Sequence, residues 1–131
     1  MGKGKTFFIL GAILGFFAVA AGAFGAHALR AALTEDMQKV FEVAVRYQMY
    51  HAFALSATAW AADHFSHAAL SWGGWCFFSG AVVFSGSLYL LVFTGVTKWG
   101  AVTPIGGALL LIGWVLIIVG AWRSPTQRER Y

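Results

Sequence analysis

From Phe7 to Leu29 the chain contains no Asp, Glu, Lys or Arg. An α-helix over such a run covers about 30 Å, the thickness of bilayer hydrocarbon. Further uncharged runs follow. Tyr47 to Ala62 is extended upstream by the helix formers of Lys39–Arg46. His64 to Thr97 is too long for one span and reads as a loop at Ser66–Ser71 and a helix from Trp72. Trp99 to Trp122 supplies the fourth. Backbone groups in hydrocarbon must pair within the chain, so these runs predict helices. The expected fold is an all-α integral membrane protein with four transmembrane helices in a compact bundle. They occupy about residues 6–28, 34–63, 72–94 and 101–122 of a single membrane domain, 1–131, with a polar tail at 124–131.

Composition points the same way. Hydrophobic residues make up 60% and charged residues 11%, and the mean hydropathy is +0.72. A soluble domain is closer to half apolar and a quarter charged, so the disordered and ordinary soluble classes are excluded. The net charge is +4. Its basic residues flank apolar runs and form no stripe, so a lipid bilayer is the expected partner and nucleic acid is not. The single Cys76 allows no intrachain disulfide.

Lys3 and Lys5, ahead of an apolar run with Ala21-Gly22-Ala23, resemble a secretory signal and its cleavage site. A retained helix is the better reading, because Gly11, Gly15, Ala18, Gly22 and Gly25 put small residues on one face. Such a face lets another helix approach closely. Gly73, Gly80 and Ser87 recur at seven-residue spacing, as do Gly106, Gly113 and Gly120, which suits left-handed packing. Gly86 joins this set of packing glycines. Thr34 is a good N-cap for the second helix, with Glu35 and Asp36 at the positive end of its dipole. Thr34 to Asp63 makes a helix about 45 Å long, so its first turns, to about Arg46, are expected at the interface.

Four spans place Lys3, Lys5, Arg123, Arg128 and Arg130 on one side and Arg30, Lys39, Arg46 and Lys98 on the other. The positive-inside rule then favours cytoplasmic termini. Trp60, Trp72, Trp75 and Trp122 form an inner aromatic belt, and Tyr47, Tyr50 and Trp99 an outer one. On this topology the polar groups converge in the outer third of the bundle. They are His27, Glu42, Arg46, Tyr47, Gln48, His51, Ser85, Ser87, Tyr89 and Thr103. Glu42 and Arg46, four apart, can pair along one face or form a polar gate or anion site. His51 is either hydrogen-bonded across helices or a proton relay or ligand contact.

Other chemistry has little support. A b-type haem between His27 and His51 would need ligands at matching depth. Asp63-His64-Phe65-Ser66-His67 lacks the further ligands zinc would want, so no metal is expected. Nucleophile-elbow, P-loop and H-E-x-x-H motifs are absent from the sequence. No catalytic residue is assigned, and no cofactor is expected.

Gly22-Ala-Phe-Gly-Ala-His27, Tyr47-Gln-Met-Tyr-His-Ala52, Phe84-Ser-Gly-Ser-Leu-Tyr-Leu90 and Thr103-Pro-Ile-Gly-Gly107 occur in register. In this the chain resembles the YgdD/YwdK-like family of small bacterial inner-membrane proteins, long catalogued as a domain of unknown function, with small eukaryotic relatives. The resemblance covers about Gly11 to Trp122. It implies a compact multispanning helical protein of the bacterial inner membrane with no established enzymatic activity. The leading expectation is a non-enzymatic membrane-integrity or complex-assembly factor that self-associates or holds a membrane-protein partner. The alternatives are a transporter, channel or small-ligand binder using an outward polar pocket, and an intramembrane enzyme with His51 or His27 as base.

Overall fold

The computed structural model describes residues 2–125, so most of the expected polar tail lies outside the described residues. The chain forms four α-helices: α1 (Lys3–His27), α2 (Glu35–His64), α3 (Ala68–Thr94) and α4 (Trp99–Arg123). Three of them, α1, α3 and α4, are long and apolar enough to cross a membrane. The 30-residue α2 is not in that group: Glu35, Asp36, Lys39, Glu42 and Arg46 crowd its first half, and Tyr47, Gln48, Tyr50, His51, Asp63 and His64 keep its second half too polar.

Helix ends follow local chemistry. The Thr34 side chain accepts from the Met37 amide at 3.2 Å and starts α2. α3 begins at Ala68, not near Trp72, so the loop expected at Ser66–Ser71 shrinks to residues 65–67. The reason is His67, whose Nδ1 accepts from the Ala69 amide at 3.1 Å. Histidine is outside the usual set of N-capping residues, which is why the sequence hides this start. α3 ends at Gly95, whose φ of 68° is left-handed and whose amide bonds the Leu91 carbonyl at 2.9 Å. A residue with a Cβ would be strained there.

Helices pack as sequence neighbours: α1 on α2, α2 on α3 and α3 on α4, with a minor α1–α3 contact. The expected compact bundle is therefore open, since α1 and α4 share no extensive face. Their small-residue faces are already used. On α1, Gly11 lies against the Ala52 carbonyl and Leu55, Gly22 against Val45, and Gly25 against Phe41. On α4, Gly106 lies against the Phe84 backbone, Gly113 against Phe77 and Gly73, and Gly120 against Leu70. Gly80 meets Leu110, whereas Gly15 makes only ordinary contact with Ala52. In lipid there is little hydrophobic drive between helices, so such close backbone approach supplies much of the attraction.

Gly86 is a correction. A Cβ there would meet nothing within 4 Å. Ser85 on one side of it reaches α2 and Ser87 on the other reaches α4. At 100° per residue Gly86 faces away from both, along with exposed Val82 and Phe93.

The core joins Phe7 and Leu14 of α1, Ala52, Leu55 and Ala59 of α2, Phe77 and Ala81 of α3, and Leu110 of α4. α2 sits between α1 and α3 and buries residues along most of its length, from Phe41 to Ala61. Outer faces of α1 and α4 remain apolar: Phe16, Phe17, Leu111, Ile118 and Trp122 are all more than half exposed.

Candidate functional site

The polar residues of the helices are held mainly by one another and by backbone carbonyls. Gln48, which is 6% exposed, stands at the centre. Its Nε2 donates to the Leu14 carbonyl of α1 at 2.9 Å, and its Oε1 accepts from the Tyr89 hydroxyl of α3 at 2.7 Å. One side chain thus ties three helices. One turn away, Ser85 donates to the Ala44 carbonyl of α2 at 2.7 Å. Ser87 donates to the Phe84 carbonyl at 2.9 Å and shares a 2.6 Å hydrogen bond with Thr103 of α4.

His51 forms the link between α2 and α4. Its Nε2 accepts from Trp114 Nε1 at 3.3 Å, which leaves Nδ1 as the protonated nitrogen donating to the Tyr47 carbonyl at 2.8 Å. Both ring nitrogens are therefore used, in a neutral tautomer. Phe77 and Trp114 pack on the ring, with centroids 5.5 and 6.0 Å away. Among the described residues, no buried side-chain nitrogen or oxygen lacks a hydrogen-bond partner. A membrane interior makes that satisfaction necessary, because an unpaired polar group has no water to turn to.

The network is deeper than the sequence suggested. Leu14 is mid-helix in α1 (Lys3–His27), so Gln48 and its neighbours Tyr47, Tyr50 and His51 sit at the middle of the molecule, not at an outer boundary. Depth counted from the start of the apolar run misleads because the first turns of α2 extend past the end of α1. Within the network, Ser87, Tyr89 and Thr103 lie nearest the end that carries the α1–α2 and α3–α4 connections.

The ten candidate residues do not share one pocket. Gln48, Ser85, Ser87, Tyr89 and Thr103 form the inter-helix network. Tyr47 and His51 border an open groove of about 470 Å³, mostly apolar, completed by Phe84, Pro104 and Trp114. Glu42 and Arg46 line a different groove, of about 410 Å³, between α1 and α2. They are exposed, and no ion pair joins them. His27 is exposed at the end of α1, about 16 Å along the helix axis from the level of His51. That separation removes the shared-haem geometry. His64 bonds the Trp60 carbonyl at 2.8 Å and stacks on its ring, while His67 caps α3.

Sequence reasoning missed Trp114, Arg30 and Gln38. Trp114 carried a signal, for an indole in mid-helix, away from either boundary, needs an acceptor for its N–H. The carbonyls of Leu14 and Ala44 carried none, since every residue has one.

Ser87→Ala removes the hydroxyl shared with Thr103 and leaves the rest of the network intact. It is expected to cost about 0.5–1 kcal/mol, the usual worth of one inter-helix hydrogen bond in a membrane protein. The unfolding midpoint of the purified protein in detergent measures this.

Residues 21–107 match the family described as a protein of unknown function, DUF423. The UPF0382 membrane protein YwdK of Bacillus subtilis is 44% identical over 118 residues, which is 89% of this chain and 96% of that protein. The chain belongs to the DUF423 family. The matched DUF423 stretch contains all four sequence motifs, from Gly22 to Gly107. A UPF0382 membrane protein of Staphylococcus aureus is similar, at 43% identity over 119 residues, covering 91% of this chain and 97% of the relative. No solved structure matches this DUF423 chain. It is a helical membrane protein of an uncharacterised family.

Proposed function

We propose that all four helices cross a bacterial inner membrane, with the chain ends cytoplasmic. We further propose a non-enzymatic role in membrane integrity or in assembling a membrane complex. Support for the topology comes from α2 lying antiparallel against α1 along its length. Gly4 of α1 faces Asp63 and Ala59 near one end of α2, and Gly25 faces Phe41 near the other. A helix enclosed by α1 and α3 tolerates polar residues that a lipid-facing helix would not. Charge adds support: Lys3, Lys5, Arg123, Arg128 and Arg130 flank the spans on the side of the chain ends, against Arg30, Lys39, Arg46 and Lys98 on the other, an excess of one.

The observation carrying the role is the satisfied polar network. Groups already paired with protein serve helix packing, which leaves the lipid- and partner-facing surfaces to act. The apolar faces of α1 and α4 are open to lipid, to a second copy of the chain or to another membrane protein. Deletion of the gene is expected to alter dye permeability or the membrane proteome, with rescue by the parent chain and by Ser87→Ala. Unchanged permeability, lipid order and proteome would overturn the reading. Reporter fusions at the C-terminus and at residue 97 test the topology separately.

A second reading, as a small-ligand binder or transporter, draws on His51 at the side of the 470 Å³ groove. A ligand there has to displace Trp114 to reach His51 Nε2. Altered solute flux in proteoliposomes after His51→Ala would favour this reading over the first.

A further inference from the structure

We infer that the groove between α1 and α2 seats one phospholipid, whose head carries a phosphodiester and a primary ammonium. This rests on the reading that α2 spans the bilayer.

The groove has two unlike walls. On the α1 side Gly22, Gly25 and Ala26 line the groove, and because the two glycines are packed against Val45 and Phe41, an acyl chain lies along the Ala26 methyl and the outer edges of those side chains. On the α2 side Gln38, Glu42 and Arg46 stand at i, i+4 and i+8, on one face of the helix. Phe41 and Val45 line the apolar part between the walls, and Arg30 of the α1–α2 connection closes the rim. Gln38 fixes that rim: its Nε2 donates to the Arg30 carbonyl at 2.7 Å and to the Leu33 carbonyl at 3.1 Å.

Three charged side chains, Arg30, Glu42 and Arg46, therefore line the groove beside Gln38 and apolar residues, and among the described residues none of the three is held in an ion pair. On the four-span topology Arg30 lies in the headgroup region and Glu42 at its inner edge, beside the Gly25–Phe41 contact, while Arg46 stands a turn deeper, next to the Gly22–Val45 contact, and its side chain reaches outward to the head. Two guanidinium groups suit a phosphodiester, which they can bind through paired N–H donors. The Glu42 carboxylate suits an ammonium that still has N–H to give. A phosphoethanolamine head offers both charges. Phosphocholine has no N–H to donate to Glu42, and phosphoglycerol has no cation. The complementarity thus favours phosphatidylethanolamine over either.

The test is native mass spectrometry of the full-length protein released from nanodiscs holding equal amounts of phosphatidylethanolamine, phosphatidylglycerol and phosphatidylcholine. The expected result is one retained phosphatidylethanolamine, about fivefold above the other two, the upper end for an exposed ion pair. Arg46→Gln and, independently, Arg30→Gln should lower that adduct. Glu42→Gln should abolish the preference over phosphatidylcholine while the phosphate contact persists. All three side chains are exposed, and unchanged unfolding midpoints would confirm that each variant is folded. Equal retention of the three lipids would overturn the inference, as would insensitivity to the arginine variants. Displacement by inorganic phosphate or soluble glycerophosphoethanolamine would also overturn it, by marking a site for small anions. The deletion phenotype is independent: lipid selectivity without any phenotype would refute the integrity role and leave this seat standing.

Discussion

Gly106→Val should destabilise the protein more than any single removal of a hydrogen bond, by about 3 kcal/mol or more, with Gly106→Ala costing about 1–3 kcal/mol. A Cβ at residue 106 would stand 2.7 Å from the Phe84 Cα and closer still to its amide nitrogen. These are backbone atoms, so no side-chain rotation can relieve the overlap, and α3 and α4 have to move apart. The seam would then lose its contacts at Gly80, Gly113 and Gly120 as well. Gly86→Ala is the matched control. It meets open space, and alanine is the better helix former, so it should be neutral or stabilising by up to about 1 kcal/mol. Unfolding midpoints in detergent compare the three variants directly. Similar effects at residues 86 and 106 would contradict the α3–α4 packing described above.

Gln48→Leu is expected to cost about 1–3 kcal/mol, because it removes two inter-helix bonds and leaves the Tyr89 hydroxyl buried without its acceptor. Tyr89→Phe removes one bond and leaves Gln48 Oε1 without its donor, but it keeps the Leu14 bond, so its cost should be smaller, about 0.6–1.7 kcal/mol. Combined, the two substitutions should cost less than the sum of the singles, since both remove the same contact. Strict additivity in this double-mutant cycle would show that Gln48 and Tyr89 do not meet. The Leu14 carbonyl adds a cost specific to Gln48, as its bond bridges α1 to α2.

Much of the fold was legible in the sequence. Charge-free runs mark α1 and α4 because a bilayer-length apolar stretch has few other uses. Glycines spaced by seven mark the α3–α4 seam, since only small residues let backbones touch. Gly86 breaks the pattern: it lies between two serines that turn in opposite directions, and the residue type alone does not tell a seam from an exposed face. The start of α3 was hidden by a histidine cap. The limit of the helix contacts was hidden too, because a list of small-residue faces does not say that each is used once, by its neighbour in sequence.

For the site, residue types were legible but grouping was not. Gln48, His51, Ser85, Ser87 and Tyr89 stood out as polar groups within apolar helices. Their acceptors are largely carbonyls, at Leu14, Ala44 and Tyr47, and these leave no trace in a sequence. Depth was misjudged by treating α2 as level with α1. That error merged two separate grooves and a buried network into one apparent pocket.

The central claim is that the polar cluster is a closed network joining the helices and not a wet cavity. Ser85→Cys and Ser87→Cys test it with little change in shape, in a Cys76→Ala background, using a membrane-impermeant thiol reagent on the protein in nanodiscs. Ser85 and Ser87 are 2% and 3% exposed, so neither cysteine should react, whereas Lys98→Cys in the exposed α3–α4 connection should label readily. Rapid labelling at 85 or 87 would mean that water reaches the network, and would contradict the account.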